Sequence, residues 1–221
     1  FKAVVFDYGG VIMSHAAAVP EWTRLEDDYN MDKGTIQKTL FGIFEDRPDL
    51  ERELFEGHYS ADELEYDVLP EYLSAKIGVV LPRPLPLLHL WMGPGSTINY
   101  NNNMINAVKS LRAHGFHTSI LTNNYKFDRA GIKVRTPVDE SLFDLIVESA
   151  IEGVMKPHRR IYEIVQSRLP SSISPHECIF LDDNKANVAA ALAFGWTSIL
   201  VDTKNVEKAI RQLELHLQIE L

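Results

Sequence analysis

Cysteine is almost absent from this chain: among 221 residues only Cys178 carries a thiol. One cysteine cannot form an intrachain disulfide. This excludes the disulfide-stapled secreted scaffolds and favours a reducing, intracellular and cytoplasmic setting. A basic surplus is missing too, since 22 lysines and arginines stand against 31 aspartates and glutamates, for a formal net charge of −9. Nucleic acid and anionic membranes need a basic face, so neither is expected as a partner. A small phosphorylated or other anionic substrate stays open, because one local site can be positive on an acidic protein. No apolar run approaches the roughly 20 residues of a membrane-spanning helix. Nothing at the N-terminus reads as a signal peptide, and there are no internal repeats. The sequence begins at Phe1, inside a strand and without an initiator methionine. A targeting segment or a neighbouring domain ahead of it fits that start, and so does a homodimer.

What the chain has is alternation. From about residue 102 onward, short apolar strands take turns with amphipathic helices. Helical spacing over 103–114 gives way to a strand over 116–122, another over 143–148, a helix over 157–169, a strand over 178–181, an Ala-rich helix over 186–194, a strand over 197–201 and a closing helix over 206–217. Strands alternating with helices predict a parallel sheet with right-handed crossovers, an α/β fold. Residues 15–101 break the rhythm. Trp22, Leu25 and Tyr29 suggest one helix, and Ile36, Leu40 and Phe44 a second. Ser60 and Glu63 have capping-box spacing ahead of Leu64, Val68, Leu69 and Tyr72. This region reads as a helical insertion after the first strand, with Gly78 to Leu81 ambiguous between strand and loop. Trp22, Trp91, Phe41 and Phe44 in it read as core.

Several strands end in polar residues of a particular kind. The first delivers Asp7 into Tyr8-Gly9-Gly10; later ones deliver Thr122-Asn123 and Asp182-Asp183, and Lys156 stands just ahead of Pro157. In parallel sheets ligands bind outside the carboxyl ends of the strands, so all these side chains should meet at one edge. Three carboxylates beside one lysine repel one another. A bound Mg²⁺, a hard cation that takes carboxylate, water and phosphate oxygens, would relieve that repulsion. Lys156 and the Thr122 hydroxyl could then hold phosphate oxygens. Taken singly, each residue has a plainer reading: a strand-end turn for Asp7, Thr122 and Asn123, a helix cap for Asp182 or Asp183, a solvated lysine for Lys156. Asn187 reads equally as a support for a carboxylate or as a helix-surface residue. The eight histidines, among them His15, His89 and His158, show no zinc-ligand spacing, and only His158, near Lys156, is placed to touch the site.

Four short motifs in this order resemble the haloacid dehalogenase-like (HAD) hydrolase superfamily: Phe-Asp7-Tyr-Gly-Gly-Val, Ile-Leu-Thr122-Asn-Asn, Val-Met-Lys156-Pro and Phe-Leu-Asp182-Asp183-Asn-Lys-Ala-Asn. Within it the chain is most similar to the N-terminal phosphatase domain of soluble epoxide hydrolase and to the related domain of multidomain acyl-CoA dehydrogenases. The resemblance implies a HAD-like Rossmannoid core with a parallel sheet flanked by helices over 1–14 and 102–221, and a small helical cap over 15–101. It implies Asp7 as nucleophile, Thr122 and Asn123 as phosphate contacts, and Lys156 as the neutralising cation. Mg²⁺ would be held by Asp7, the Gly9 carbonyl and Asp183, with Asp182 in support. The expected activity is a Mg²⁺-dependent phosphatase acting on a small phosphate monoester.

Gly9 departs from the pattern. Phosphatases of the superfamily usually carry an aspartate there, as general acid and base, and such help is worth about 10²–10⁴-fold. Tyr8 is no substitute, because adjacent residues of an extended segment point to opposite faces. Low turnover is therefore expected. A catalytically impaired binding or assembly domain of a larger protein and a phosphotransferase or other HAD-type hydrolase are the alternatives.

Overall fold

The computed structural model describes residues 1–14, 19–93, 96–128 and 136–221. In chain order its main elements are β1 (Ala3–Phe6), α1 (Pro20–Asp28), α2 (Thr35–Asp46), α3 (Pro48–Phe55), α4 (Ala61–Glu63), a π turn (Leu64–Val68), α5 (Leu69–Ile77), α6 (Leu87–Met92) and α7 (Asn102–Ala113). Then follow β2 (His117–Thr122), β3 (Leu145–Glu148), α8 (Ser149–Glu152), α9 (Arg159–Arg168), β4 (Cys178–Asp182), α10 (Lys185–Phe194), β5 (Thr197–Leu200) and α11 (Val206–Leu217). None of the described helices is long and apolar enough to cross a membrane.

The chain divides into two compact units. The first holds Phe1–Ala16, Asn99–Asn123 and Val138–Leu221 and carries the whole sheet. Its five strands are all parallel, in the order β3-β2-β1-β4-β5. The strands run as near-continuous apolar segments because helices cover both faces of such a sheet. Val5, Leu121, Val147 and Phe180 pack with Ile161, Tyr162, Val165 and Trp196 in one buried cluster. Each such side chain contributes about 1.5–3 kcal/mol when fully buried. Chain order turns back at β1: β2 and β3 extend the sheet on one side, β4 and β5 on the other. This is the topological switch at which α/β sheets open a crevice.

The second unit, Ala17–Ile98 with Asn124–Pro137, is helical. Trp22, Ile36, Leu40, Ile43, Leu54, Leu64, Leu73 and Leu88 form its core. The Ser60 hydroxyl accepts from Glu63 N–H while the Glu63 carboxylate accepts from Ser60 N–H, so the capping box is present at the start of α4. Between α4 and α5 lies the π turn. Pro70, in the first turn of α5, has no N–H for the helical ladder, and a widened turn just before it absorbs the missing bond.

The sequence reading differs from this picture in three places. Residues 124–128 belong with the helical unit, not with the sheet that β2 has just left. Tyr125 and Phe127 are buried in the helical core, and the Ala61 and Asp62 N–H groups donate to the Lys126 and Phe127 carbonyls at 2.8 and 2.9 Å. Two short segments, α3 and α6, are helices that spacing alone leaves unassigned. Gly78 to Leu81 is irregular and not a strand: Gly78 closes α5 with φ 79°. The first residues of the expected cap, 15–18 with His15 among them, lie outside the described residues.

Candidate active site

Asp7 follows the last residue of β1, and its N–H donates to the Leu181 carbonyl of β4 at 2.8 Å. The ladder therefore carries the backbone of Asp7 to the sheet edge beside Asp182. One of its oxygens, Oδ1, accepts from the Tyr8 N–H at 2.7 Å and from the Lys156 ammonium at 2.7 Å. Neither bond engages Oδ2. After Asp7 the chain makes a compact turn: Ile12 and Met13 N–H donate to the Tyr8 carbonyl, and Gly10 N–H donates to the Met13 carbonyl. Among the described residues, the acceptors in this turn are the Tyr8 and Met13 carbonyls, not that of Gly9. Gly10 has φ 74°, and a Cβ there would lie 2.3 Å from Asp183 Oδ2. Only glycine lets the turn come this close to that carboxylate.

Lys156 is 1% exposed, extraordinary for a lysine without partners. Its ammonium donates to Asp7 Oδ1, Asp182 Oδ2 and the Leu121 carbonyl, at 2.7, 2.7 and 2.9 Å. Three donors meet three acceptors, which is the inventory of an ammonium. Its main chain is fixed as firmly. Asn123 Oδ1 accepts from Lys156 N–H at 2.8 Å, and Asn123 Nδ2 donates to the Lys156 carbonyl at 3.0 Å. Burial works against the lysine charge, but Asp7 and Asp182 overcome it and hold the ammonium above the usual lysine range.

Asp182, at the end of β4, is fully buried. Besides Lys156 it takes the Asn184 N–H on Oδ1 at 2.8 Å and the Asn187 amide on both oxygens at 3.1 Å. Asp183, the next residue, is only partly buried and lies against the Gly10 turn. One oxygen from each of Asp7, Asp182 and Asp183 falls within 4.8 Å of the others. Burial pushes the Asp7 carboxyl up, Lys156 pulls it down, and Asp182 and Asp183 add to the rise; the outcome is about 7. Three carboxylates this close together, one of them the raised Asp7, beside a turn kept open by Gly10, fit a hard divalent cation. Thr122 ends β2 opposite Glu148 of β3, nearly buried.

The sheet therefore brings Asp7, Gly9, Thr122, Asn123, Lys156, Asp182 and Asp183 to one edge. His158 does not join them: it is exposed and its Nδ1 accepts from Arg160 N–H, capping α9. Asn187 is a carboxylate support and is buried. Three features were not foreseen: the grip of Asn123 on the Lys156 main chain, the Leu121 carbonyl as third acceptor, and the role of Gly10. Only the last left a trace in the sequence, as the second glycine of a pair.

The family model of haloacid dehalogenase-like hydrolases matches residues 1–195. The chain belongs to this family. Mouse acyl-CoA dehydrogenase family member 10 is 28% identical over 225 residues, covering 97% of this chain and 19% of the relative. Pig bifunctional epoxide hydrolase 2 is 27% identical over 220 residues, covering 96% and 38%. The HAD-like chain thus spans about a fifth and about two-fifths of these two relatives. The sesquiterpene phosphatase astK of Aspergillus oryzae is 27% identical, with 96% of each chain covered. A HAD family enzyme from Bacteroides thetaiotaomicron, solved as an Asp-to-Ala mutant with magnesium and inorganic phosphate, shares the fold at TM-score 0.59 and 16% identity, covering 92% of this chain and 95% of its own.

Proposed function

We propose that this HAD-like hydrolase is a Mg²⁺-dependent phosphatase that cleaves a small phosphate monoester through an aspartyl-phosphate on Asp7. The observation that carries the reading is the buried Lys156 ammonium held between Asp7 and Asp182, with Asp183 beside them. The phosphatase name of a relative matched over nearly its whole length supports it, as does the magnesium and phosphate in the Bacteroides neighbour.

Asp7, Asp183 and the Gly9 carbonyl are the groups to hold Mg²⁺, with Asp182 behind them. The metal, when bound, screens the repulsion between Asp7 and the phosphate. Asp7 Oδ2 attacks phosphorus, the ester P–O bond breaks, and the alkoxide leaves. Water then cleaves the aspartyl-phosphate, giving phosphate and free Asp7. The Thr122 hydroxyl donates to a phosphate oxygen. The Asn123 amide is committed to Lys156, so a phosphate contact from Asn123 falls to its main chain. Gly9 offers no proton, and the leaving alkoxide takes one from water; substrates with acidic leaving groups are favoured. Lys156 offsets charge on Asp7 throughout and keeps its own proton.

Hydrolysis of a phosphomonoester panel with Mg²⁺ tests the reading. Wild type should turn over slowly, Asp7→Asn should be inert, and Gly9→Asp should be faster by up to about 10²-fold. Gly9 also favours a second reading, a binding or assembly domain with the same fold. Wild-type protein that is inert on every ester while Gly9→Asp gains activity would select it.

A further inference from the structure

A second group of metal-capable side chains stands apart from the sheet, wholly within the helical unit: Asp62 in α4, Glu65 in the π turn and His89 in α6. One ligand atom from each lies within 4.8 Å of the others. Glu65 is buried. Its Oε1 accepts from the Leu88 and His89 N–H groups at 2.6 and 2.9 Å, and its Oε2 lies 2.6 Å from His89 Nδ1. With the Glu65 carboxylate as acceptor at Oε2, Nδ1 of the neutral ring carries the proton. Nε2 is then the lone-pair nitrogen. The ring is further fixed by edge packing on Phe127, centroids 4.9 Å apart.

Nε2 faces Asp62 Oδ1 at 3.6 Å. That is too long for a hydrogen bond. It is close to the edge between two donors around a four-coordinate ion, about 3.3 Å for bond lengths near 2.0–2.1 Å. Asp62 is exposed, and a hollow of about 680 Å³ opens beside the pair, lined also by Glu63, Tyr66 and Asp67. A carboxylate behind an imidazole whose other nitrogen faces a second carboxylate is the arrangement that orients histidine toward a transition metal.

We propose that His89 Nε2 and Asp62 bind a divalent transition-metal ion of the zinc class at the mouth of this hollow, with Glu65 as the orienting partner of the imidazole. Two coordination positions remain for water or an oxygen ligand entering the hollow. Mg²⁺ is not the occupant, because a hard cation prefers an all-oxygen set.

The test is calorimetric titration of the full chain with Zn²⁺, on wild type and on Asp183→Asn, which weakens competing binding at the sheet edge. A one-to-one site should persist in Asp183→Asn and disappear in His89→Gln and Asp62→Asn. Glu65→Gln should weaken it by about 10–100-fold. In parallel, the ¹⁵N resonance of His89 Nε2 should shift on Zn²⁺ addition and not on Mg²⁺ addition. Asp62 is on the surface, so Asp62→Asn keeps the fold, which circular dichroism checks. Zn²⁺ binding of the same stoichiometry in folded His89→Gln or Asp62→Asn overturns the proposal. So does Zn²⁺ binding that vanishes with Asp183→Asn, or a His89 Nε2 resonance that Zn²⁺ leaves in place.

Discussion

Lys156 is the residue on which the site turns. Removing its charge leaves Asp7 and Asp182 buried with no cation, and breaking a buried pair from one side costs about 3–5 kcal/mol. Lys156→Met should therefore lower the urea midpoint by that equivalent when measured in a chelator. Asn187→Ala should cost less, about 1.5–3 kcal/mol, because it removes hydrogen bonds to a charged group and leaves the ion pair intact; the same titration checks the order. That Asp7, Thr122, Asp182 and Asp183 share one edge was legible because the end of a parallel strand fixes which edge a side chain reaches; Lys156, in the loop between α8 and α9, was legible only from its place in the motif order. The work of Asn123 was not, since a polar residue just past a strand looks the same whether it holds a ligand or its neighbour's backbone. Asp62 and His89 were hidden for another reason: a helix, a loop and a short apolar segment separate them in sequence, and only packing joins them.

At the scale of elements, the most readable feature was local chemistry. Ser60 and Glu63 stand three apart and cap α4 as their spacing predicts, so Ser60→Ala should destabilise the helical unit by about 1 kcal/mol in urea unfolding. The same device recurs before β4, where Glu177 accepts from Ser174 and pairs with Lys2 at 2.8 Å. Lys2 and the Ser174 N–H and hydroxyl hold the Glu177 carboxyl down, at about 2. A depressed carboxyl stabilises the fold above its unfolded value near 4.5 and loses that contribution as pH falls toward 2. Glu177→Gln should thus melt below wild type at pH 6, and the gap should close by pH 2. What spacing could not show were α3 and α6, too short for a helical period to declare itself, and the π turn, which answers to Pro70 and not to any apolar pattern.

On the scale of the whole molecule, each unit has its own buried cluster. Trp22 and Trp91 belong to the helical one and Trp196 to the sheet. In Trp196→Phe protein, tryptophan emission therefore reports the helical unit alone, and adding Leu40→Ala should move that transition by about 2–5 kcal/mol. The alternation of strands and helices made the sheet readable. The allotment of 124–128 to the helical unit was not, because it depends on two backbone bonds made across a sequence gap of more than sixty residues. The central strand has one further consequence. β1 pairs with β4, Ala3 opposite Cys178, so β1 has as one of its neighbours a strand translated long after it. At about 5–20 residues per second, Asp7 leaves the ribosome roughly 9–35 s before Asp182. During synthesis the Asp7 carboxylate thus waits for its setting, and a ribosome halted before β4 holds a strand with one side open. Nascent chains arrested there should be cut by protease near β1, where chains that already carry β4 and β5 resist.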